Sequence, residues 1–280
     1  MNTSPAGSSP LEETLRGLGA AADRLPLAPW PEHREAPAGW LLQDGPGLFR
    51  AVRAFGRASG TDETAVAASL FGQAWAVSVT RAAIACLVGA RRVPDMASSN
   101  TVVLLDRDSR PAGARVVTPR FAALADDDDA AADPRAEILA GDDELFAWTR
   151  ARLFDGHLGP LVEALHELAP VGRRVLWGNV AAAIAGGFAA LSALPTHPFD
   201  PEHLLPEAAR LLDWPGSPTE GLAELFRVPH EGGTRLFVRR QTCCLRYRLP
   251  NAPPTCLSCR LLPESERSRR IGLRLDAEAI

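Results

Sequence analysis

Hydrophobic positions along this chain of 280 residues recur mainly with the period of an α-helix. Leu11, Leu15 and Leu18 fall on one helical face, which predicts an amphipathic helix over residues 10–25. Residues 61–89 are apolar on most faces, so they are predicted to form a long helix at the centre of a bundle, with Thr61 as its N-cap. Further helices are predicted at 47–58, 142–154, 160–168, 171–194, 201–214 and from 263 onward.

Strand patterns are few and short. Valine- and leucine-rich runs at 101–105 and 114–117 predict a hairpin or two edge strands, and residues 236–238 predict another short strand. The glycines at both ends of 156–159, followed by Pro160, are expected to break a helix. An irregular connection is expected at 26–46 and a turn at 221–226.

The predicted fold is therefore mainly α with a few short β-strands (an α+β arrangement), having a helical core and an irregular cysteine-rich C-terminal end. We predict three parts: an N-terminal segment at 1–60, a helical core at 61–230 and a metal-binding segment at 231–280.

Four of the five cysteines lie within 17 positions, at Cys243, Cys244, Cys256 and Cys259. Thiolates gathered in this way usually hold zinc or an iron–sulfur cluster, and a redox dithiol is a third interpretation. Only the second pair has the C-x-x-C spacing of a structural zinc site, and the vicinal first pair points its side chains to opposite sides of extended backbone. A [2Fe–2S] cluster contains two irons and holds its four thiolates farther apart than one zinc ion does, so it tolerates the vicinal pair better. Spacing alone favours the cluster modestly and leaves the other two interpretations open.

The same region carries a longer pattern, R-R-x-x-C-C-L-x-Y, from Arg239 to Tyr247, followed by the C-x-x-C pair. This pattern resembles the C-terminal signature of the FhuF-like ferric siderophore reductases. Two further segments fit the family: residues 89–95, after a long helix, and residues 176–179, Leu-Trp-Gly-Asn, opening another. The resemblance spans residues 60 to 262. The chain departs from the family in having eleven residues between the two cysteine pairs instead of ten, and Arg260 in place of proline.

The resemblance implies a [2Fe–2S] protein that passes one electron to ferric iron held by a siderophore of hydroxamate type. Hard oxygen donors hold Fe(III) far more tightly than Fe(II), so one electron loosens the chelate. No dinucleotide-binding motif is present, so an external donor such as a ferredoxin is expected. The cluster ligands would be Cys243, Cys244, Cys256 and Cys259. Arg239, Arg240 and Arg246 are expected near the cluster, where they would hold an anionic partner or tune the reduction potential of the cluster. Tyr247 is expected to pack or hydrogen-bond beside a sulfur.

Alternative functions are an iron–sulfur sensor or carrier and a zinc-stapled binding module. A net charge of −4 argues against a general nucleic-acid binder. Residues 235–275 nevertheless hold ten arginines and two glutamates, a local charge of +8. Because no secretory leader is visible, a cytoplasmic location is expected, with no transmembrane segment and at most a transient association with the membrane or a siderophore importer.

Three other residue sets are expected to be structural. Residues 175–194 carry no charge but are rich in alanine and glycine, so they are interpreted as a buried core helix. Cys86 lies among apolar residues and is predicted to be a small buried hydrophobe. The six scattered histidines are expected on the surface or in the core. Asn179 either bonds a substrate or satisfies a buried backbone group.

Overall fold

Two long apolar helices form the centre of the fold in a computed structural model that describes residues 8–26, 30–194, 199–230, 233–252 and 255–278. These are α4 (Thr64–Ala90) and α8 (Arg173–Leu191), which pack directly against each other. Trp75 and Phe188 are fully buried, and a Cβ on Gly187 would lie 2.8 Å from Ile84 Cδ1, so the two backbones approach closely. Both helices are apolar on most faces because other elements surround them.

The remaining described elements surround this pair. The other helices are α1 (Pro10–Leu18), α2 (Ala38–Gln43), α3 (Gly45–Ala58), α5 (Asp128–Ala131), α6 (Asp142–Arg150), α7 (Gly159–Leu168), α9 (Pro201–Leu212) and α10 (Glu264–Glu278). The strands are β1 (Arg34–Pro37), β2 (Val93–Pro94), β3 (Thr101–Leu105), β4 (Pro111–Val116), β5 (Phe121–Leu124), β6 (Ala136–Leu139), β7 (Ala223–His230) and β8 (Gly233–Arg240). The prediction of a mainly α protein with short strands is confirmed. The division at residues 60 and 230 stays a prediction.

The strands form three small sheets within the described ranges. Their orders are β1-β3-β4, β2-β5-β6 and β7-β8. The predicted hairpin is confirmed, since β3 and β4 pair antiparallel with Thr101 opposite Val116. The β7–β8 hairpin packs against α8 and leads the chain into the cysteine segment.

The predicted break at residues 156–159 is wrong. The helix continues through a π-helical stretch, Ala151–Leu158, and passes directly into α7. The Gly159 N–H donates to the Phe154 carbonyl, five residues back. This wider turn accommodates Pro160, whose ring would collide with a carbonyl in a regular helix interior. The glycine at 156 allows a close approach, since a Cβ there would lie 3.2 Å from Ala97 Cβ.

Three other local predictions need correction. The turn expected at 221–226 is largely strand β7, which forms because β8 pairs with it along eight residues. The connection expected at 26–46 contains β1, which pairs with β3, and α2, while residues 27–29 lie outside the described residues. Thr61 lies three residues before α4, where its hydroxyl accepts from the Glu63 N–H at 3.1 Å, so Glu63 and not Thr61 is the N-cap residue.

Helices α4 and α8 are also long and apolar enough to cross a bilayer by length and composition. In the fold, 72% and 61% of their most apolar windows are buried. Core helices of soluble proteins share this length and composition, so the two helices give only weak evidence of a membrane span.

Candidate metal centre

The two cysteine pairs are brought to one end of the molecule by strand β8. At its end, the Arg240 N–H donates to the Ser258 carbonyl at 2.9 Å, inside the C-x-x-C loop. The next residue, Gln241, donates its N–H to the Leu222 carbonyl at 2.9 Å, just before β7 begins. The first of these bonds holds the second cysteine pair against the segment that carries the first, and the second bond ties that segment to the start of the hairpin.

The first pair is anchored to the central helix. The buried hydroxyl of Ser69, on α4, donates to the Cys244 carbonyl at 3.0 Å. Leu245 has a φ of 65°, a left-handed conformation that turns the chain sharply after Cys244. Its N–H donates to Cys243 Sγ at 3.4 Å. A short 3₁₀ turn, Arg246–Arg248, follows.

The second pair forms a turn that is fixed by a buried arginine. The Cys259 N–H donates to the Cys256 carbonyl at 2.9 Å. Arg267, on α10 and only 2% exposed, donates to the carbonyls of Leu257, Cys259 (3.0 Å) and Leu262 (3.1 Å). Sequence reasoning missed this residue, because nothing distinguishes it from the other arginines of the basic tail.

The four cysteine thiols differ in exposure. Cys244 is buried, Cys243 and Cys259 are half-buried, and Cys256 is exposed. Burial raises the pKa of the Cys259 thiol, and the charges of Cys256, Cys244 and Cys243 raise this pKa further. Whether the four cysteines hold one metal group stays a prediction. Within the described ranges, no group of three or more His, Cys, Asp or Glu side chains is arranged to hold one metal ion.

The Trp-Gly-Asn segment of α8 lies directly beneath the cysteine segment. Asn179 is buried and donates its amide to the Ser69 carbonyl at 2.8 Å and to the Ser69 hydroxyl at 3.0 Å. Its Oδ1 accepts from Arg240 Nη2. Asn179 therefore connects α4, α8 and the end of β8. At Gly178, a Cβ would lie 1.8 Å from Thr242 Oγ1, so only glycine lets the segment pack so closely.

Arg240 is a buried cation without a carboxylate partner. It is 2% exposed, and among the described residues no Asp or Glu oxygen lies within 4.0 Å of it. Its Nη2 donates to Asn179 Oδ1 and, at 3.5 Å, to the Gly178 carbonyl, whereas Nε and Nη1 have no hydrogen-bond partner among the described residues. A buried guanidinium that is not neutralised is costly. Arg240 precedes Cys243 by three residues, so this unneutralised charge belongs to the segment that carries the first cysteine pair.

The other predicted cofactor neighbours lie in different environments. Arg239 pairs with Glu224 at 3.3 Å and with Glu264 at 3.5 Å. Arg246 is exposed, and no described carboxylate lies within 4.0 Å of it. Tyr247 is 57% exposed, and its hydroxyl makes no hydrogen bond to a sulfur among the described residues. The extra residue in the gap falls in a loop whose Pro253 and Pro254 lie outside the described residues.

The remaining predicted residues have structural positions. Cys86 is completely buried, as predicted, and burial raises the pKa of its thiol to about 12. His157 is also completely buried, where its Nε2 accepts from the Trp75 indole at 2.8 Å and its Nδ1 lies 2.6 Å from the Met96 carbonyl. His197 lies outside the described residues.

The 89–95 segment lies at the end of α4 and is held by ion pairs. Arg91 makes a bidentate pair with Glu207 at 2.6 and 2.7 Å, and Arg92 a bidentate pair with Asp127 at 2.5 and 2.7 Å. These pairs connect α4 to α9 and to the residue that caps α5. The segment therefore supports the scaffold, and the cysteine region is built from other residues.

The fold and site together define a mainly α-helical protein with four free thiols gathered at its C-terminal end. A family model described as "Ferric iron reductase FhuF-like transporter" matches residues 69–268, which is well over half of the chain. The chain therefore belongs to the FhuF-like ferric iron reductase family, and the predicted family is confirmed.

No curated protein matches the chain. One similar solved structure is the ATP-bound aerobactin synthetase IucA from a hypervirulent pathotype of Klebsiella pneumoniae, with 16% sequence identity and a TM-score of 0.47. The similarity covers 57% of this chain and 30% of the synthetase, so this chain matches less than a third of that protein's length.

Proposed function

We propose that this protein is a cytoplasmic ferric siderophore reductase in which Cys243, Cys244, Cys256 and Cys259 hold a [2Fe–2S] cluster. The observation that carries the proposal has two parts: four free thiols on two segments that the bond from the Arg240 N–H to the Ser258 carbonyl joins, and the buried Arg240 side chain. Two nitrogens of this side chain have no hydrogen-bond partner among the described residues. Four thiolates and a fixed cation fit an anionic iron–sulfur group. Membership of the ferric iron reductase family supports the same conclusion.

A [2Fe–2S] cluster supplies one-electron chemistry when bound. The chain's own residues fix its surroundings. Arg240, held by Asn179, keeps a permanent positive charge three residues before Cys243, which would offset part of the negative charge of a bound cluster. Arg267 holds the C-x-x-C carbonyls so that the second pair keeps its turn. Because the pKa of the Cys259 thiol is raised, its proton is harder to remove on metal binding than that of an ordinary cysteine.

The reaction in this proposal transfers one electron and forms no bond to the protein. An external donor, such as a ferredoxin, is oxidised by one electron, and Fe(III) in a hydroxamate-type chelate is reduced to Fe(II). Fe(II) is held far less tightly by hard oxygen donors, so the metal is released. The exposure of Cys256 leaves one side of the thiol region accessible to such partners.

The test combines metal analysis with a single-turnover assay. Protein purified without oxygen should contain two irons and two acid-labile sulfides per chain, and its visible absorption should bleach with dithionite. Protein reduced in this way and freed of dithionite should convert ferric tris(acetohydroxamate) to Fe(II), captured by a ferrous chelator, in a one-to-one ratio. One zinc without sulfide, or reduced protein that yields no Fe(II), would contradict the proposal.

Serine substitutions test the ligand assignment. Replacement of any one of the four proposed ligands should remove or distort the cluster, because a hydroxyl is a harder and less easily ionised donor. Cys86→Ser is the matched control, since this thiol is buried in the core away from the site, and it should retain full iron and sulfide content. A requirement for Cys86, together with a dispensable member of the four, would show that the ligand set is misassigned.

A further inference from the structure

A cavity of about 370 Å³ opens beside the first cysteine pair. One wall is a face of α4 that includes Leu70, Gln73 and Val77, which recur at helical spacing. The turn between β3 and β4, at residues 106–110, forms a second wall together with Pro111 at the start of β4. Arg246 and Leu249, just beyond the cysteines, form a third. A space of this size falls at the small end of the range of about 300–1,000 Å³ typical of small-molecule sites.

This cavity is close to the proposed electron-transfer centre. Arg246 follows Cys244 by two residues, so their Cα atoms lie at most about 7.6 Å apart along the chain. Leu70, in the α4 wall, is the neighbour of Ser69, whose hydroxyl binds the Cys244 carbonyl at 3.0 Å. A molecule in the cavity would therefore lie against the polypeptide that carries the first cysteine pair.

Three arginines line the cavity without an acidic partner: Arg24, Arg110 and Arg246. No carboxylate lies within 4.0 Å of any of them among the described residues. The Nη1 of Arg24 donates to the Ala112 carbonyl at 2.5 Å, whereas its Nε is buried and has no partner. The cavity therefore contains guanidinium donors that the protein itself does not satisfy.

Two aspartates also line the cavity, and one of them already accepts hydrogen bonds from its own turn. Asp106 Oδ1 accepts from the N–H groups of Asp108 and Arg110 at 2.9 and 2.8 Å, so it serves the turn that it belongs to. Asp108 is exposed. With three arginines and two aspartates, the lining carries a net positive charge. Planar guanidinium groups match carboxylates in geometry as well as in charge.

We propose that this cavity is the binding site of the ferric complex, and that among hydroxamate chelates it favours anionic ones that also carry carboxylate groups. This inference rests on the proposed reductase function and adds to it a substrate site and a charge preference. The carboxylates would pair with Arg110 and Arg246, while Leu70, Val77 and Leu249 contact the aliphatic part of the chelate. The small volume limits the cavity to the iron-bearing end of a larger siderophore.

Gallium(III) complexes test the site without electron transfer, because Ga(III) resembles Fe(III) in charge and size but is not reduced. Binding of gallium citrate, which is anionic, and gallium tris(acetohydroxamate), which is neutral, is measured by titration calorimetry on the protein as purified. We expect tighter binding of the citrate complex. Arg110→Gln and Arg246→Gln should each weaken it about five- to thirtyfold and leave the neutral complex nearly unchanged. Both side chains are exposed, so neither variant should change the unfolding temperature.

Arg174→Gln is the matched control. Arg174 is another exposed arginine that lines a different cavity, together with Leu212 and Gln241. It should leave binding of gallium citrate unchanged. Three results would overturn the site. They are equal binding of gallium citrate to the wild type and to both cavity variants, no binding to the wild type, and an equal loss of affinity in Arg174→Gln.

The same measurements separate this inference from the function that it rests on. If the cavity variants bind gallium citrate more weakly than the wild type but reduced wild-type protein yields no Fe(II), the site stands and the reductase function fails. If ferric complexes are reduced normally but Arg110→Gln and Arg246→Gln bind gallium citrate as tightly as the wild type, the function stands and the site is wrong.

Discussion

The packing of the cysteine segment on α8 makes Gly178→Ala a sharp test of the structure. The new Cβ would lie 1.8 Å from Thr242 Oγ1 and 2.7 Å from both Thr242 Cβ and Cγ2, far inside ordinary van der Waals contact. Thr242 stands immediately before Cys243, so it must retreat by well over an ångström and move the first cysteine pair with it. Overpacking of this kind costs about 1–3 kcal/mol.

The control lies on the same helix. At Gly186 a Cβ would meet no heavy atom within 4 Å, so Gly186→Ala only replaces a flexible residue by a good helix former. This change should stabilise the protein by about 0.5–1 kcal/mol. Gly178→Ala receives the same propensity gain, so its net cost should be up to about 2 kcal/mol, and the two variants should differ by about 1–3 kcal/mol.

Urea unfolding followed by circular dichroism measures the difference, and iron content reports on the cysteine segment. Gly178→Ala should bind less iron, whereas Gly186→Ala should bind as much as the wild type. Adding Thr242→Ala removes Oγ1 and Cγ2, so the double variant should recover part of the stability and show a coupling energy of about 0.5–3 kcal/mol. If Gly178→Ala matches Gly186→Ala in both stability and iron content, the cysteine segment does not pack on α8 as described.

Two further predictions concern buried polar residues. Burial lowers the pKa of His157 to about 4 from an ordinary value of 6.5, so its contribution to stability is complete above pH 6.5 and is lost as the pH falls towards 4, by about 3 kcal/mol in all. Unfolding free energies measured between pH 7 and 4.5 should therefore fall more steeply for the wild type than for His157→Gln, and parallel curves would contradict this. Asn179→Leu removes the acceptor of Arg240 and the donor to Ser69, so it should cost about 2–4 kcal/mol, whereas Asn179→Asp keeps an acceptor for the guanidinium and should cost less. An Asn179→Leu variant as stable as the wild type would show that this hydrogen-bond network contributes nothing to stability.

Features that depend on local periodicity and residue type were determined by the sequence. The apolar run of residues 61–89 is helical because no polar face interrupts it over seven turns, and the structure has α4 at Thr64–Ala90. The spacing of the two cysteine pairs and the flanking arginines predicted the family that the family model confirms. Metal ligation by these cysteines stays a prediction, since it depends on a group that the sequence only implies.

Pairing and burial were decided by the tertiary structure. The turn expected near residue 223 became strand β7 because β8 supplies its hydrogen bonds, and no local pattern contains that partner. Pro160 did not end a helix, since the preceding π turn accommodates its ring.

The arginines around the cysteines show the same limit most clearly. Arg239 and Arg240 are neighbours of identical chemistry, yet one is paired with carboxylates and the other is buried beside Asn179. Adjacent residues of a strand face opposite sides, and only the packing of β8 on α8 fixes which side is buried. The cavity beside Arg246 likewise brings together residues from five separate segments of the chain. Residue types are properties of the sequence, but the environments that give these side chains their chemistry exist only after the chain has folded.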